Sequence, residues 1–135
     1  MTRKTLALLA LMFSLGGCSK PTYTDVDNVG LQGLIKQGVP VYDIRRPDEW
    51  RQTGVIEGSR QLTFVDASGR LNPSFLAEFS ARVGKNDPVA LICRTGNRTD
   101  ALARELMDKH GYTRIYNVKN GITRWIGDGN PVVKR

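Results

Sequence analysis

The sequence predicts an α/β domain: a parallel sheet flanked by helices on both faces, in three layers. Three observations carry this expectation. Short apolar runs rich in β-branched residues, Val41-Tyr42-Asp43-Ile44 and Val89-Ala90-Leu91-Ile92, have strand length and no alternation, as in strands buried on both sides. Segments with helical apolar spacing stand between such runs, and strand–helix alternation is the pattern of a parallel sheet. With 135 residues, 40% hydrophobic and 24% charged, the chain has an ordinary globular balance and enough length for one compact core.

The first residues stand apart from that core. Arg3 and Lys4 form a positive start and Leu6 to Leu15 an apolar run of ten residues, which is signal-peptide length and too short to span a bilayer. The run ends in Leu15-Gly16-Gly17-Cys18, which resembles the lipobox of bacterial lipoproteins. The resemblance implies a signal peptide over 1–17, acylation of Cys18, and Ser19 as an outer-membrane sorting residue, so the domain would face the periplasm. Lys20 to Thr24, polar and holding Pro21, reads as the end of a short tether over 18–24, with the domain over 25–135.

The elements follow in order. Asp27 can cap a helix carrying Val29, Leu31, Leu34 and Ile35, which Gly38 and Pro40 end. After the strand at 41–44, Pro47 and Asp48 open a short helical turn bearing Trp50, and 54–62 gives a loop and a second short strand. A helix fits 73–83, and Asp87-Pro88 breaks the chain before the strand at 89–92. From Thr99 the period changes, with Ala101, Leu102, Leu106 and Met107 on one helical face until Gly111. A last strand fits 114–118 and a last helical turn 122–126.

Charge and cysteine usage narrow the function. Removing residues 1–17 takes away Arg3 and Lys4 and lowers the formal charge from +7 to +5. The remaining Lys and Arg are scattered rather than run together, so no nucleic-acid partner is expected. The chain has two cysteines, and acylation of Cys18 would leave Cys93 without a partner for a disulfide. A lone thiol in an exported domain calls for a chemical explanation.

That explanation lies in the loop after the apolar run at 89–92. In open α/β sheets ligands bind beyond the carboxyl ends of the strands, and Val89-Ala90-Leu91-Ile92 delivers Cys93 to that place. The loop Cys93-Arg94-Thr95-Gly96-Asn97-Arg98-Thr99 then enters a helix N-terminus, where unpaired amides and the dipole favour an anion. Gly96 can turn amides inward, and Arg94 and Arg98 add positive charge. Such surroundings favour the thiolate, the nucleophilic form, without a general base. The only histidine, His110, falls at the far end of the same helix, about 15 Å or more away at 1.5 Å per residue. It reads as a surface group or a partner of the helix dipole, not as half of a Cys-His dyad.

The loop resembles the C-x-x-G-x-R-[ST] active-site loop of the rhodanese family, and other landmarks agree in order. Asp43-Ile44-Arg45 with Glu49-Trp50 is similar to the family's D-x-R and acidic-aromatic signature, and 54–59 to G-H-I-x-G-A, with Val55 for histidine and Ser59 for alanine. Asn120-Gly121-Ile122-Thr123-Arg124-Trp125, Gly129, Pro131 and Val132 are similar to G-G-x-x-x-W-x-x-x-G-x-P-V, with Asn120 for the first glycine. The resemblance runs from about residue 25 to the end. It implies a monomeric rhodanese-like fold and a sulfurtransferase needing no cofactor or metal, in which Cys93 carries sulfur as a persulfide from an anionic donor such as thiosulfate to cyanide or a thiol. Arg94, Thr95, Gly96, Asn97, Arg98 and Thr99 would bind the substrate, and Asp43 and Arg45 would support the loop. Arg98 has an alternative reading, a pairing with a carboxylate at the loop's base.

Two other functions compete. Phosphatases and arsenate reductases also use a Cys-to-Arg loop at a helix N-terminus, but with five residues between; Arg94, Thr95, Gly96 and Asn97 make four. A tethered, non-catalytic rhodanese-like binding module is the second, and members of that kind commonly lack the cysteine present here.

Overall fold

The structure is a computed structural model that describes residues 22–135. The expected signal peptide, Cys18 and most of the expected tether lie outside the described residues. Five strands form one sheet, β1 (Thr24–Val26), β2 (Val41–Asp43), β3 (Arg60–Gln61), β4 (Val89–Ile92) and β5 (Ile115–Val118), in the order β1-β5-β4-β2-β3 with every pairing parallel. The α/β three-layer arrangement expected from the sequence is the one observed.

The continuous apolar runs work because the pleat sends alternate residues to two cores. On β4, Val89 and Leu91 join one cluster and Ala90 and Ile92 the other. The first cluster lies beneath α3 (Phe75–Arg82) and α4 (Asn97–His110), through Phe75, Phe79, Leu102 and Leu106. The second lies beneath α1 (Asn28–Lys36) and α5 (Gly121–Gly127), through Leu31, Leu34, Ile122 and Trp125. Every residue of β4, and of β2 beside it, is buried, so the strand leading to Cys93 is held in the middle of the sheet. A Leu91→Ala change there costs about 2–5 kcal/mol, the usual range for a buried leucine.

Several expectations need correction. Asp27 does cap α1, accepting from the Gly30 N–H at 2.8 Å, but Val29 is 75% exposed and Ile35 lies at the solvent edge. Leu31 and Leu34, with the polar Asn28, make the helix's buried stripe. The fold also begins earlier than the expected boundary at residue 25. Tyr23 is buried beside α4, and Thr24 already pairs with Tyr116, so both belong to the fold. A three-residue edge strand held by backbone pairing leaves no periodic signal in its side chains. Likewise α4 starts at Asn97, two residues before the apolar period becomes visible, and Ala101 faces solvent.

Candidate active site

Cys93 follows the last residue of β4, and three residues later Gly96 turns the chain into α4 with φ +98°. A side chain is disfavoured at such an angle, and a Cβ on Gly96 would lie 3.1 Å from the Asn120 nitrogen, so glycine suits both demands. The turn brings the Gly96 N–H to 3.2 Å from Cys93 Sγ. Thr99, in the first turn of α4, places Oγ1 3.4 Å from the sulfur and 3.1 Å from the Gly96 carbonyl, so its one proton can serve either acceptor. The sulfur therefore sits at the positive end of a fourteen-residue helix with one amide directed at it.

Backbone that follows β5, the strand paired beside β4, clamps this loop. The N–H groups of Ile122 and Thr123 donate to the carbonyls of Cys93 and Arg94 at 2.9 and 3.1 Å. To do so, α5 must begin against the loop, through two consecutive left-handed residues, Asn120 at φ +67° and Gly121 at φ +61°. A Cβ on Gly121 would fall 2.4 Å from the Arg94 carbonyl oxygen, which explains the glycine there. Asn120, where the resemblance expects another glycine, is among the residues that tolerate this backbone region.

A polar group supports the loop from β2 and α2 (Pro47–Thr53). Arg45 is fully buried and forms a two-pronged ion pair with Asp43, at 2.9 and 2.8 Å. Its remaining donors reach Thr53 Oγ1 at 2.8 Å and the Gly54 carbonyl at 3.0 Å, so the buried charge is satisfied. Trp50 donates its indole N–H to Asp43 Oδ1 at 3.1 Å and so joins this polar group. Asp43 and Arg45 thus bond to each other and to α2 and the turn after it, while the direct side-chain link from this group to the loop is the one between Glu49 and Arg98.

Arg98 is engaged rather than free. Its guanidinium donates to both carboxylate oxygens of Glu49 at 2.8 Å, and the Arg46 N–H donates to the same carboxylate at 3.0 Å. Burial opposes ionisation of Glu49, but Arg98 and the Arg46 amide outweigh it and hold the carboxyl down to about 2. Of the two readings of Arg98, the carboxylate pairing is the observed one, and the expected full charge at an anion site is largely neutralised. Arg94 is exposed and has no side-chain partner among the described residues. It borders a cleft of about 220 Å³ together with Thr53, Ile122, Thr123 and Ile126.

Cys93 departs from expectation in one respect. Instead of standing open at the mouth it is 1% exposed, roofed by its own loop. Thr95 and Asn97 lie on the rim, beside a second, polar groove that includes Tyr23 and Lys119. The sequence reading did not single out Glu49 as a site residue or Gly121 as the clamp. The acidic residue of the acidic-aromatic pair was the available signal for the first; nothing local signals the second. His110 lies in the last turn of α4 with Nε2 3.6 Å from Glu105, away from the sulfur as expected. Among the described residues no cluster of His, Cys, Asp or Glu could hold a metal ion.

Comparison with known proteins places this geometry. The family model described as Rhodanese-like domain matches residues 29–128. A thiosulfate sulfurtransferase of Arabidopsis thaliana chloroplasts is 29% identical over 101 residues, covering 73% of this chain and 82% of that protein. A sulfurtransferase of Allochromatium vinosum is 33% identical over 97 residues, covering 72% of this chain and 80% of its own length. A crystal structure of a rhodanese-related protein from Thermoplasma volcanium superposes with a TM-score of 0.63 at 30% identity, covering 84% of this chain and all of that one. The chain belongs to the rhodanese-like domain family, and sulfur transfer is the general chemistry that its relatives and its cysteine loop support.

Proposed function

We propose that the protein moves sulfane sulfur from an anionic donor such as thiosulfate to a thiophilic acceptor through a persulfide on Cys93. The observation that carries the reading is the Cys93 sulfur at the α4 N-terminus with the Gly96 N–H aimed at it from 3.2 Å. The Cys93 thiolate attacks the outer sulfur of thiosulfate; the sulfur–sulfur bond of the donor breaks and sulfite leaves with the electron pair. Cyanide or a thiolate then takes the outer sulfur of the persulfide, releasing thiocyanate or a new persulfide and restoring the thiolate. Arg94 attracts the donor, and the helix dipole with the Gly96 amide holds the negative charge on sulfur. The four-residue spacing between Cys93 and Arg98, and the use of Arg98 by Glu49, favour sulfur over a tetrahedral phosphate, which needs its loop arginine free.

Mass spectrometry after thiosulfate treatment tests this, with one added sulfur expected on Cys93 and none in Cys93→Ser. Turnover of thiosulfate and cyanide by that variant would refute the mechanism.

We also propose that Cys18 is acylated and anchors the domain on the periplasmic side of the outer membrane. The support is the basic start, the short apolar run and Gly16-Gly17-Cys18, followed by Ser19. Two or three acyl chains give durable anchoring where one is marginal. A fatty-acid label should enter the wild-type protein and not Cys18→Ala; an unlabelled wild-type protein in the soluble fraction would end this reading without touching the first.

A further inference from the structure

We propose that the apolar groove between α3 and α4 rests on the phospholipid bilayer to which the chain is anchored, so that the domain lies on its α3/α4 face. The inference rests on acylation of Cys18.

The groove has a volume of about 500 Å³ and is walled by Phe64, Leu71, Phe75 and Leu76 on one side and by Leu102 and Lys109 on the other. Leu71 is 66% and Leu76 40% exposed, so the patch is apolar at its rim as well as its floor. Where the chain enters the fold decides what covers it. Thr22 donates its hydroxyl to Asp108, on the outer side of α4, at 3.3 Å. Asp108 is the neighbour of Lys109 in the groove wall and less than one turn from Glu105, which also lines it. From Cys18 to Thr22 the chain advances four residues, which span at most about 14 Å at full extension. An acylated Cys18 sits at the membrane interface, so Thr22 stands within that distance of the headgroups, and the groove opens on the helix face next to the one Thr22 touches. A second copy of the chain has no comparable claim, and Leu6–Leu15 would leave with the signal peptide.

The same geometry keeps the active site wet. Asp108 is near the C-terminal end of α4, whereas Cys93 precedes its N-terminus, and fourteen residues at 1.5 Å each separate the two ends by about 20 Å. Contact through the groove leaves the Cys93 loop and Arg94 at the edge away from the anchor, open to a soluble donor.

The test uses the acylated mature chain carrying Cys93→Ser, with a nitroxide on Leu76→Cys or Leu71→Cys, in vesicles of phosphatidylethanolamine and phosphatidylglycerol. Ile35→Cys, on the opposite helical layer, is the control. We expect a several-fold loss of collisions with a water-soluble nickel chelate, and a gain in collisions with oxygen, at 71 and 76 but not at 35. Adding Leu71→Glu to the chain labelled at 76 should return that label to the aqueous behaviour of position 35. Equal nickel access at 76 and 35 in the acylated protein overturns the proposal. Shielding of 76 in the unacylated Cys18→Ala chain without vesicles also overturns it, sedimentation then deciding between the chain's own Leu6–Leu15 and a second copy. A mass showing no acyl group on Cys18 removes the anchor and this inference together, while the persulfide measurement stands independently.

Discussion

Replacing Glu49 by glutamine tests the arrangement around Arg98 most directly. In the native protein the Glu49 side chain is 7% exposed and the Arg98 side chain 21%, and the two are joined by two bonds of 2.8 Å. The carboxyl is held at about 2 rather than its ordinary 4.5, a difference worth about 3 kcal/mol at 1.36 kcal/mol per unit. Because the folded value is depressed, that contribution is complete above about pH 4.5 and disappears as pH falls through about 2. Glutamine keeps one acceptor oxygen, but its amide cannot accept the second bond and leaves the arginine uncompensated. The expected loss at pH 7 is about 2–3 kcal/mol, below the 3–5 kcal/mol of a fully buried pair because Arg98 retains some contact with water. Urea unfolding at pH 7 and at points between pH 5 and 2 measures it. The wild-type advantage should shrink across that acid range, whereas above pH 5 the difference should stay constant. A cycle with Arg98→Met should show a coupling of at least about 1 kcal/mol between the two positions. Native stability of Glu49→Gln at pH 7, or a stability difference that does not change below pH 4.5, would refute the assignment of Arg98 to Glu49.

Other perturbations separate the roles of nearby groups. Arg94→Ala should raise the Michaelis constant for thiosulfate with little change in stability, while Arg98→Ala should lower stability by about 2 kcal/mol; steady-state kinetics and denaturation on both variants check this, and the reverse pattern would mean that Arg98 meets the donor. Gly121→Ala places a Cβ 2.4 Å from the Arg94 carbonyl oxygen at φ +61°, so the loop must shift, at about 2–4 kcal/mol and with loss of sulfur transfer; a variant with native melting temperature and turnover would show that the α5 clamp is dispensable. Tyr23→Phe removes the hydroxyl that donates to Asp100, with an expected cost of about 1–2 kcal/mol for a bond to a charged acceptor. Burial first, and Asp100 second, push the Tyr23 hydroxyl up to about 12, so its contribution is complete below about pH 10 and lost as pH rises through about 12. Equal stability of Tyr23→Phe and wild type near pH 8 would show that the bond to Asp100 does not hold the chain's entry to α4.

How far the sequence could be read depended on how local each cause was. Val89–Ile92 is apolar on both parities because its two faces meet two cores, and that is visible in four consecutive letters. The Asp27 cap, the Gly111 stop and the Cys93-to-Thr99 loop are equally local, since each depends on residues within one turn. β1 was not legible, because a three-residue edge strand depends on backbone pairing with β5, about ninety residues away. Val29 and Ile35 are apolar without being covered, since helix spacing shows which residues share a face but not how wide a neighbour packs against it.

At the site, the thiol, the helix N-terminus and the glycine turn could be read together from the letters, because they are contiguous in the chain and obey backbone geometry. What the charges do follows from packing between distant segments. Arg94 and Arg98 are four residues apart and alike as letters, yet one is exposed with no side-chain partner among the described residues while the other is bound by Glu49, forty-nine residues upstream. The same holds for the clamp from α5, which arises where distant segments converge at the carboxyl ends of β4 and β5. A charge takes its meaning from what lies within about 4 Å, and the order of residues along the chain does not record that distance.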